Sequence, residues 1–364
     1  MYQYAHGGDI YDEKLRPVQK NLLDYSSNIN PLGIPASVKE ALAQAINRCD
    51  RYPDPFCRGL AHHIASFEGV REEQLFFTNG AADLFFRLAS CIKPKKALLC
   101  APTFADYEKA LNTVGCQLTY YFLEPGKNFQ LGEDYLDYIQ EDLDLLFLCN
   151  PANPTGQIIH PELMIRIIEK AARNRVFVVV DECFMDLTME GEGLTAKRFL
   201  EGWSNLIIVR AFTKNFALPG VRLGYGIFSG IDMIPHLRKY GQDWSVSTFA
   251  QAAGIAAVRE RAYLNQSQQI IRDQRNYLAS ELKKMGLEAY PSYANYILFR
   301  ALGFTDLKEK LLEKNILIRS CSNYRNLGPD YYRIAVKDEQ SNRRLVLELQ
   351  AALKAKRGEG KHDG

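Results

Sequence analysis

Apolar residues in the middle of this chain fall in short, dense runs rather than long stripes. Residues 97–100, 145–149, 176–180 and 206–209 are rich in Leu, Ile and Val and are bounded by charged or turn residues. Runs of this length suit strands covered on both faces, the environment of a parallel sheet. Between them the spacing changes. Residues 84–90, 106–114 and 161–174 read as helices, and Pro161 stands where a first helical turn accepts proline. Strand and helix alternate, which predicts an α/β layer architecture with a mainly parallel sheet. Farther on, a polar helix-favouring stretch over 265–285 runs into Gly286, a stop signal and connector. The runs 296–299, 316–318 and 331–336, with a helical pattern over 306–314, predict a smaller α+β domain. The expected organisation is an N-terminal segment (1–45) that belongs with the small domain as a lid, a large domain (46–275), the small domain (276–353) and a charged, disordered tail (354–364).

Composition narrows the class of partner. The 364 residues are 47% hydrophobic, enough for a large core, and carry a net charge of +2 with both signs interspersed. No basic footprint calls for nucleic acid. The eight cysteines are scattered without a CxxC pair, and several lie in strand-like apolar runs, as Cys100 and Cys149 do. That pattern suits reduced, buried thiols and predicts neither a disulfide scaffold nor a metal site. The first residues lack an apolar signal core, and no apolar run is long enough to span a bilayer, so a soluble cytoplasmic protein without a membrane partner is expected.

Lys214 changes the picture. Phe212, Phe216, Leu218 and Val221 surround it in sequence, and a buried amine is costly unless it is paired or neutralised. An imine with an aldehyde cofactor is one route to neutrality, with Thr213 and Arg222 as hydroxyl and cation for a phosphate nearby. An ordinary solvated lysine is the competing reading. Asn150-Pro151-Ala152-Asn153 follows a predicted strand end, where α/β sheets bind ligands, although Asn-Pro also favours a plain turn. Asp181 and Glu182 close another strand. Period-two alternation aims them oppositely, and Asp181 is the better candidate to hold a proton on a ring nitrogen. Asn79-Gly80-Ala81 opens a helical pattern whose first N–H groups could meet an anion. Phe104, just past a strand end, offers a stacking face or simple core packing.

Taken in order, Asn79-Gly80-Ala81, Asn150 to Gly156, Asp181-Glu182 and Thr213-Lys214 with Arg222 to Tyr225 resemble the pyridoxal-phosphate enzymes of the aspartate-aminotransferase fold, class I/II. The resemblance implies fold type I, with a large domain of mainly parallel sheet and a smaller α+β domain. It implies that Lys214 forms the imine with pyridoxal 5'-phosphate, that Asp181 pairs with the ring nitrogen, and that Asn153 bonds the ring oxygen. Gly80, Ala81, Thr213 and Arg222 would build the phosphate cup, with Phe104 stacked on the ring. Tyr52 matches a tyrosine that reaches the cofactor phosphate of a neighbouring subunit, implying a homodimer with shared active sites. Arg333 matches the arginine that clamps a substrate carboxylate.

A second set of residues points beyond transamination. His6-Gly7-Gly8, the stretch Ser26-Ser27-Asn28 to Gly33, Tyr52 with its neighbours, and Ile318-Arg319-Ser320-Cys321 resemble the threonine-phosphate decarboxylase branch, close to histidinol-phosphate aminotransferases. That branch implies decarboxylation of L-threonine O-3-phosphate to (R)-1-amino-2-propanol O-2-phosphate in cobalamin biosynthesis. His6, Gly7, Ser27 and Asn28 are carried over for the substrate phosphate, and Arg319 and Arg333 for the remaining anionic groups. Phe184 departs from transaminating relatives, which carry a tyrosine there, and is compatible with a decarboxylase. Competing readings are a histidinol-phosphate-type aminotransferase, a serine-phosphate decarboxylase and a binding module without turnover.

Overall fold

The computed structural model of the chain describes residues 6–11 and 21–359, the stretch 355–359 as backbone only. Its strands are β1 (Leu23–Asp24), β2 (Leu75–Thr78), β3 (Lys96–Ala101), β4 (Gln117–Phe122), β5 (Leu145–Cys149), β6 (Phe177–Asp181), β7 (Leu206–Ala211), β8 (Gly224–Phe228), β9 (Glu288–Ala289), β10 (Tyr296–Arg300), β11 (Ile316–Leu317), β12 (Arg319–Ser320) and β13 (Tyr331–Ala335). Seven of them form the large sheet in the order β2-β8-β7-β6-β5-β3-β4. Only the pairings made by β8 are antiparallel there; the rest are parallel.

The dense apolar runs are the centre of this sheet. Leu146, Leu148, Val178, Val180, Leu206 and Ile208 pack into a core on one face. Leu145, Phe147, Val179, Ile207 and Val209 pack into a second core on the other. Alternation along each strand thus feeds two apolar layers, and each layer needs a helix cover. The helix Pro161–Arg173 shows how that cover is encoded: Leu163, Met164, Ile167, Ile168 and Ala171 are its buried stripe, and Pro161 begins it.

Two strands of the large sheet escape the apolar-run pattern. β4 is an edge strand, exposed at Gln117 and Phe122, half-buried from Leu118 to Tyr120 and buried at Tyr121 alone. β8 is interrupted by Gly224 and Gly226, and both glycines are required by packing. A Cβ on Gly224 would press into the Ala81 backbone nitrogen, and one on Gly226 would come within 2.6 Å of the Phe228 ring.

The four-stranded sheet β12-β13-β10-β9 is antiparallel, and β1 pairs in parallel with β11 through Leu23↔Ile316 and Asp24↔Leu317. Tyr25 sits fully buried among Leu278, Leu282, Ile297, Phe299 and Ile334, so the N-terminal segment shares the core of the C-terminal part. Of the run 316–318, Ile316 and Leu317 form β11, while Ile318 lies between β11 and β12. The helix Arg261–Lys284 continues through the boundary expected between 275 and 276. The final helix, Glu339–Glu359, enters the stretch expected to be disordered; residues 360–364 of that stretch lie outside the described residues. Among the described residues, no helix is long and apolar enough to cross a membrane.

Candidate active site

Parallel strands present their carboxyl ends along one edge, and the registers Cys149↔Asp181 and Asp181↔Val209 set β5, β6 and β7 side by side there. The loops leaving these ends line a cavity of about 660 Å³. Asn153, Asp181, Thr213, Lys214, Arg222 and Phe104 all face it. His6, Gly7, Ser27 and Asn28 close it from the N-terminal segment, and Arg333 enters from β13.

Lys214 lies on the single helical turn Phe212–Asn215 that follows β7. Among the described residues no hydrogen bond or ion pair engages its Nζ, which stands 5.9 Å from the centre of the Phe184 ring. Burial, and then the nearby Arg333 and Arg222 guanidinium groups, bring its amine down to about 8, against the opposing pull of Cys183 and Asp24. A lysine in this state is partly neutral near neutral pH and is a competent nucleophile.

Asp181 accepts a hydrogen bond from the Tyr107 hydroxyl at 2.5 Å and from the Cys183 N–H at 3.0 Å. Burial pushes its carboxyl above the usual carboxylate range, while these bonds and the Lys214 charge pull the other way. Glu182 points to the opposite face, where it meets Arg210 and Thr195, as the strand alternation requires.

Asn153 is held by its carbonyl. Its Oδ1 accepts from Arg333 Nη1 at 2.5 Å and from the Tyr324 hydroxyl at 3.2 Å. An acceptor facing two donors fixes the amide orientation and leaves the NH₂ as the donor end. Arg333 also donates from Nη2 to the Ser26 carbonyl at 2.7 Å, and its buried Nε has no hydrogen-bond partner among the described residues. The buried Oδ1 of Asn28 is likewise unpartnered. Unsatisfied buried polar atoms inside a cavity mark where a polar ligand would be held.

Gly80 caps the helix Ala81–Ile92 at φ +83°, and a Cβ there would come within 2.5 Å of Arg222 Nη2. Glycine therefore lets the guanidinium lie against the helix start, whose first N–H groups are left over by helix geometry. Ala81 and Ala82 line the cavity; Gly80 sits just behind them.

His6 bonds Asp106 Oδ1 at 2.9 Å and tilts against the Phe104 ring at 5.2 Å. Gly7 packs so closely on the Ser26 carbonyl that a Cβ would not fit, and the Gly8 N–H donates to Ser26 Oγ at 2.8 Å. The Ser27 hydroxyl donates to Asp24. Besides Gly80, two expected residues stand apart from the cavity lining. Arg319 bonds Asn323 at 2.7 Å and lies over the Tyr324 ring at 5.5 Å, on the strand beside Arg333. Tyr52 is 79% exposed and stacks on Trp244 at 4.6 Å.

Sequence reasoning missed Tyr107, Tyr324 and Asp24. Tyr107 carried a usable signal, because it stands one helical turn after Phe104 and so shares its face. Tyr324 and Asp24 lie in irregular or very short elements, where no periodicity reports their direction.

A family model for aminotransferase class I and II matches residues 20–349. The chain belongs to the class I and II aminotransferase family. Within this family it is 34% identical over 359 residues to threonine-phosphate decarboxylase of Salmonella typhimurium, covering 97% of this chain and 98% of that enzyme. It is 30% identical to the adenosylcobalamin biosynthesis bifunctional protein of Leptospira interrogans, over 94% of this chain and 40% of that longer protein. The solved structure of histidinol-phosphate aminotransferase from Clostridium acetobutylicum superposes with a TM-score of 0.86 at 29% identity, covering 92% of this chain and 100% of that one.

Proposed function

We propose that this chain is a pyridoxal-phosphate-dependent decarboxylase of L-threonine O-3-phosphate, releasing (R)-1-amino-2-propanol O-2-phosphate for cobalamin biosynthesis. The observation that carries the reading is the meeting, in one cavity, of a half-buried lysine whose Nζ makes no hydrogen bond or ion pair among the described residues with an arginine whose buried Nε has no partner among them. End-to-end similarity to a threonine-phosphate decarboxylase supports the choice of reaction.

The residues present fit the cofactor. A flat ring with a phosphate arm needs a nucleophilic amine, an acid for its nitrogen, a donor for its oxygen and a cationic cradle. Lys214, Asp181, the Asn153 amide and the Gly80–Ala81 turn with Thr213 and Arg222 supply these, and Phe104 offers a stacking face. Bound there, pyridoxal phosphate provides a protonated ring that accepts the electron pair of a bond breaking at the substrate Cα.

Asp181, kept in place by Tyr107, holds the proton on the ring nitrogen. Arg333 takes the substrate carboxylate and, through Asn153, ties that grip to the ring oxygen. His6, Gly7, Ser27 and Asn28 surround the substrate phosphate, for which Ser27 and His6 exchange their present bonds to Asp24 and Asp106. Arg319 serves the anionic groups at the rim through Tyr324. Together these contacts would orient the bound substrate and favour breaking of its Cα–carboxylate bond. Lys214, in its protonated form, would donate the proton that Cα takes up after CO₂ leaves, and its amine, brought down to about 8, is an acid of suitable strength for that. Phe184 packs edge-on against Tyr296 at 5.0 Å and offers no hydroxyl to the ring oxygen.

We also place the stretch around Leu23 to Tyr25 with the small domain, on the strength of the β1–β11 pairing and the buried Tyr25, whereas the helix Ala36–Ala45, expected to go with it, packs on the helix Thr248–Ala257 and the core of the large sheet. A homodimer with shared sites is supported by the exposed Tyr52–Trp244 stack, an aromatic pair suited to burial against a second copy. A cytoplasmic location suits eight cysteines that are all free.

The decisive experiment supplies L-threonine O-3-phosphate and cofactor without any 2-oxo acid. Release of CO₂ and the amino-propanol phosphate is the expected outcome. Strict dependence on 2-oxoglutarate, with no CO₂, would make the chain an aminotransferase instead. A parallel arm with serine phosphate reads the contribution of one methyl group, about 1–3 kcal/mol in an apolar pocket.

A further inference from the structure

On the face of the sheet away from Asp181, beneath Lys214, lies a buried ion network that the chemistry above leaves unused. Arg210 donates from Nη2 to Glu182 at 2.8 Å and to the Thr195 hydroxyl at 3.1 Å, and from Nη1 to Asp186. Glu182 also accepts from the Ala196 N–H at 2.6 Å. Glu68 accepts from Lys197 at 2.9 Å and from the Tyr225 hydroxyl. Cations and carboxylates interlocked in this way, almost wholly buried, form a stiff anchor, because loss of any one partner strands a charge in low dielectric.

The anchor reaches Lys214 through a single side chain. The second oxygen of Asp186 accepts from Asn215 Nδ2 at 2.8 Å, and Asn215 follows Lys214 directly. From the other side, the Asn30 N–H donates to the Lys214 carbonyl at 3.2 Å, and its amide donates to the Asn215 carbonyl at 2.7 Å. The turn Phe212–Asn215 is far too short to be stable alone, so tertiary partners decide where it sits.

We propose that Asp186 and Asn215 are positioning residues for Lys214, fastening the turn that bears it to the buried Arg210 network. The proposal rests on Lys214 being the lysine that holds the cofactor. Removing the link lets the turn shift, and a displacement of about 1 Å costs on the order of a hundredfold in rate when reacting atoms must be aligned.

The test compares the unmutated protein with Asn215→Ala, Asn215→Asp and Asp186→Asn. For each, the rate at which the apoprotein captures pyridoxal phosphate is followed by absorbance across pH, together with kcat, KM and the thermal midpoint. The charged and titratable groups that bear on the Lys214 amine are Arg333, Arg222, Cys183, Asp24 and Asp181, none of which belongs to the network. A shifted capture profile in Asn215→Ala therefore reports a moved amine rather than a lost neighbouring charge.

Expected for Asn215→Ala is a kcat lowered about tenfold to a hundredfold, with KM held within about threefold and the capture midpoint displaced. Asn215→Asp, which sets a carboxylate against Asp186, should do more. A lower thermal midpoint with unchanged capture and kcat would overturn the proposal and leave the network a role in stability alone. Should Asp186→Asn fail to fold, the two Asn215 variants still decide. If the unmutated protein captures no cofactor on Lys214, the reading of the site falls with the proposal. If it does and Asn215→Ala matches it, only the proposal falls.

Discussion

At the scale of single residues, the site depends on how neighbours set the state of one amine. Lys214 is brought to about 8 by burial, then by Arg333 and Arg222. The sign follows directly. Below that value the amine is mostly protonated and unreactive; above it the neutral form dominates. The capture of pyridoxal phosphate by the apoprotein should therefore rise roughly tenfold per pH unit below about 8 and level off above it. A lysine at its ordinary value would keep rising for about two further units. Stopped-flow absorbance measures the profile, and Lys214→Ala should abolish both capture and turnover. That Lys214 and Asp181 would reach the cavity was legible in sequence, because each is a polar residue at a place that strand ends and apolar neighbours make costly. The partners of Asn153 were not. Arg333 and Tyr324 are distant from it in the chain, and only the folded molecule brings two donors onto its carbonyl.

At the scale of elements, dense apolar runs were easy to read as central strands, while β8 was hidden by its glycines. Those glycines are a packing requirement, since Gly224 lets β8 pass against the start of the helix Ala81–Ile92. The same helix start carries Gly80 and Arg222's resting place, so strand packing and the phosphate cradle share one piece of geometry. Gly224→Ala should lower stability by roughly 1–3 kcal/mol, the usual cost of overpacking. It should also weaken cofactor affinity, because the Ala81 backbone must move. Denaturant unfolding and a spectroscopic cofactor titration check the two effects together; loss of stability with unchanged affinity would uncouple them.

At the scale of the whole molecule, residues early in the chain meet Tyr324 and Arg333 at the cavity. Pairing of Leu23 with Ile316 brings Asp24 to Asn28 beside the sheet that carries Arg333, and His6 to Gly8 line the same cavity. A second copy should complete the assembly. If Tyr52 serves the neighbouring subunit's site, Tyr52→Ala and Lys214→Ala proteins, each nearly inactive, should regain activity when mixed. Random reassociation makes about half the dimers hybrid, each with one intact site, so roughly a quarter of full activity is expected. Recovery of nothing, with subunit exchange confirmed, would place Tyr52 outside the shared site. By itself the sequence determined the layer architecture and marked Lys214 and Asp181 as candidates, because burial patterns and strand ends are local and leave a periodic trace. Tertiary structure alone decided that Arg319 stands behind Tyr324 rather than in the cavity lining, that Glu182 and Asp186 join Arg210, and that Asn215 ties this network to Lys214. Such contacts join residues far apart in the chain, and their directions are set by packing, which no local pattern records.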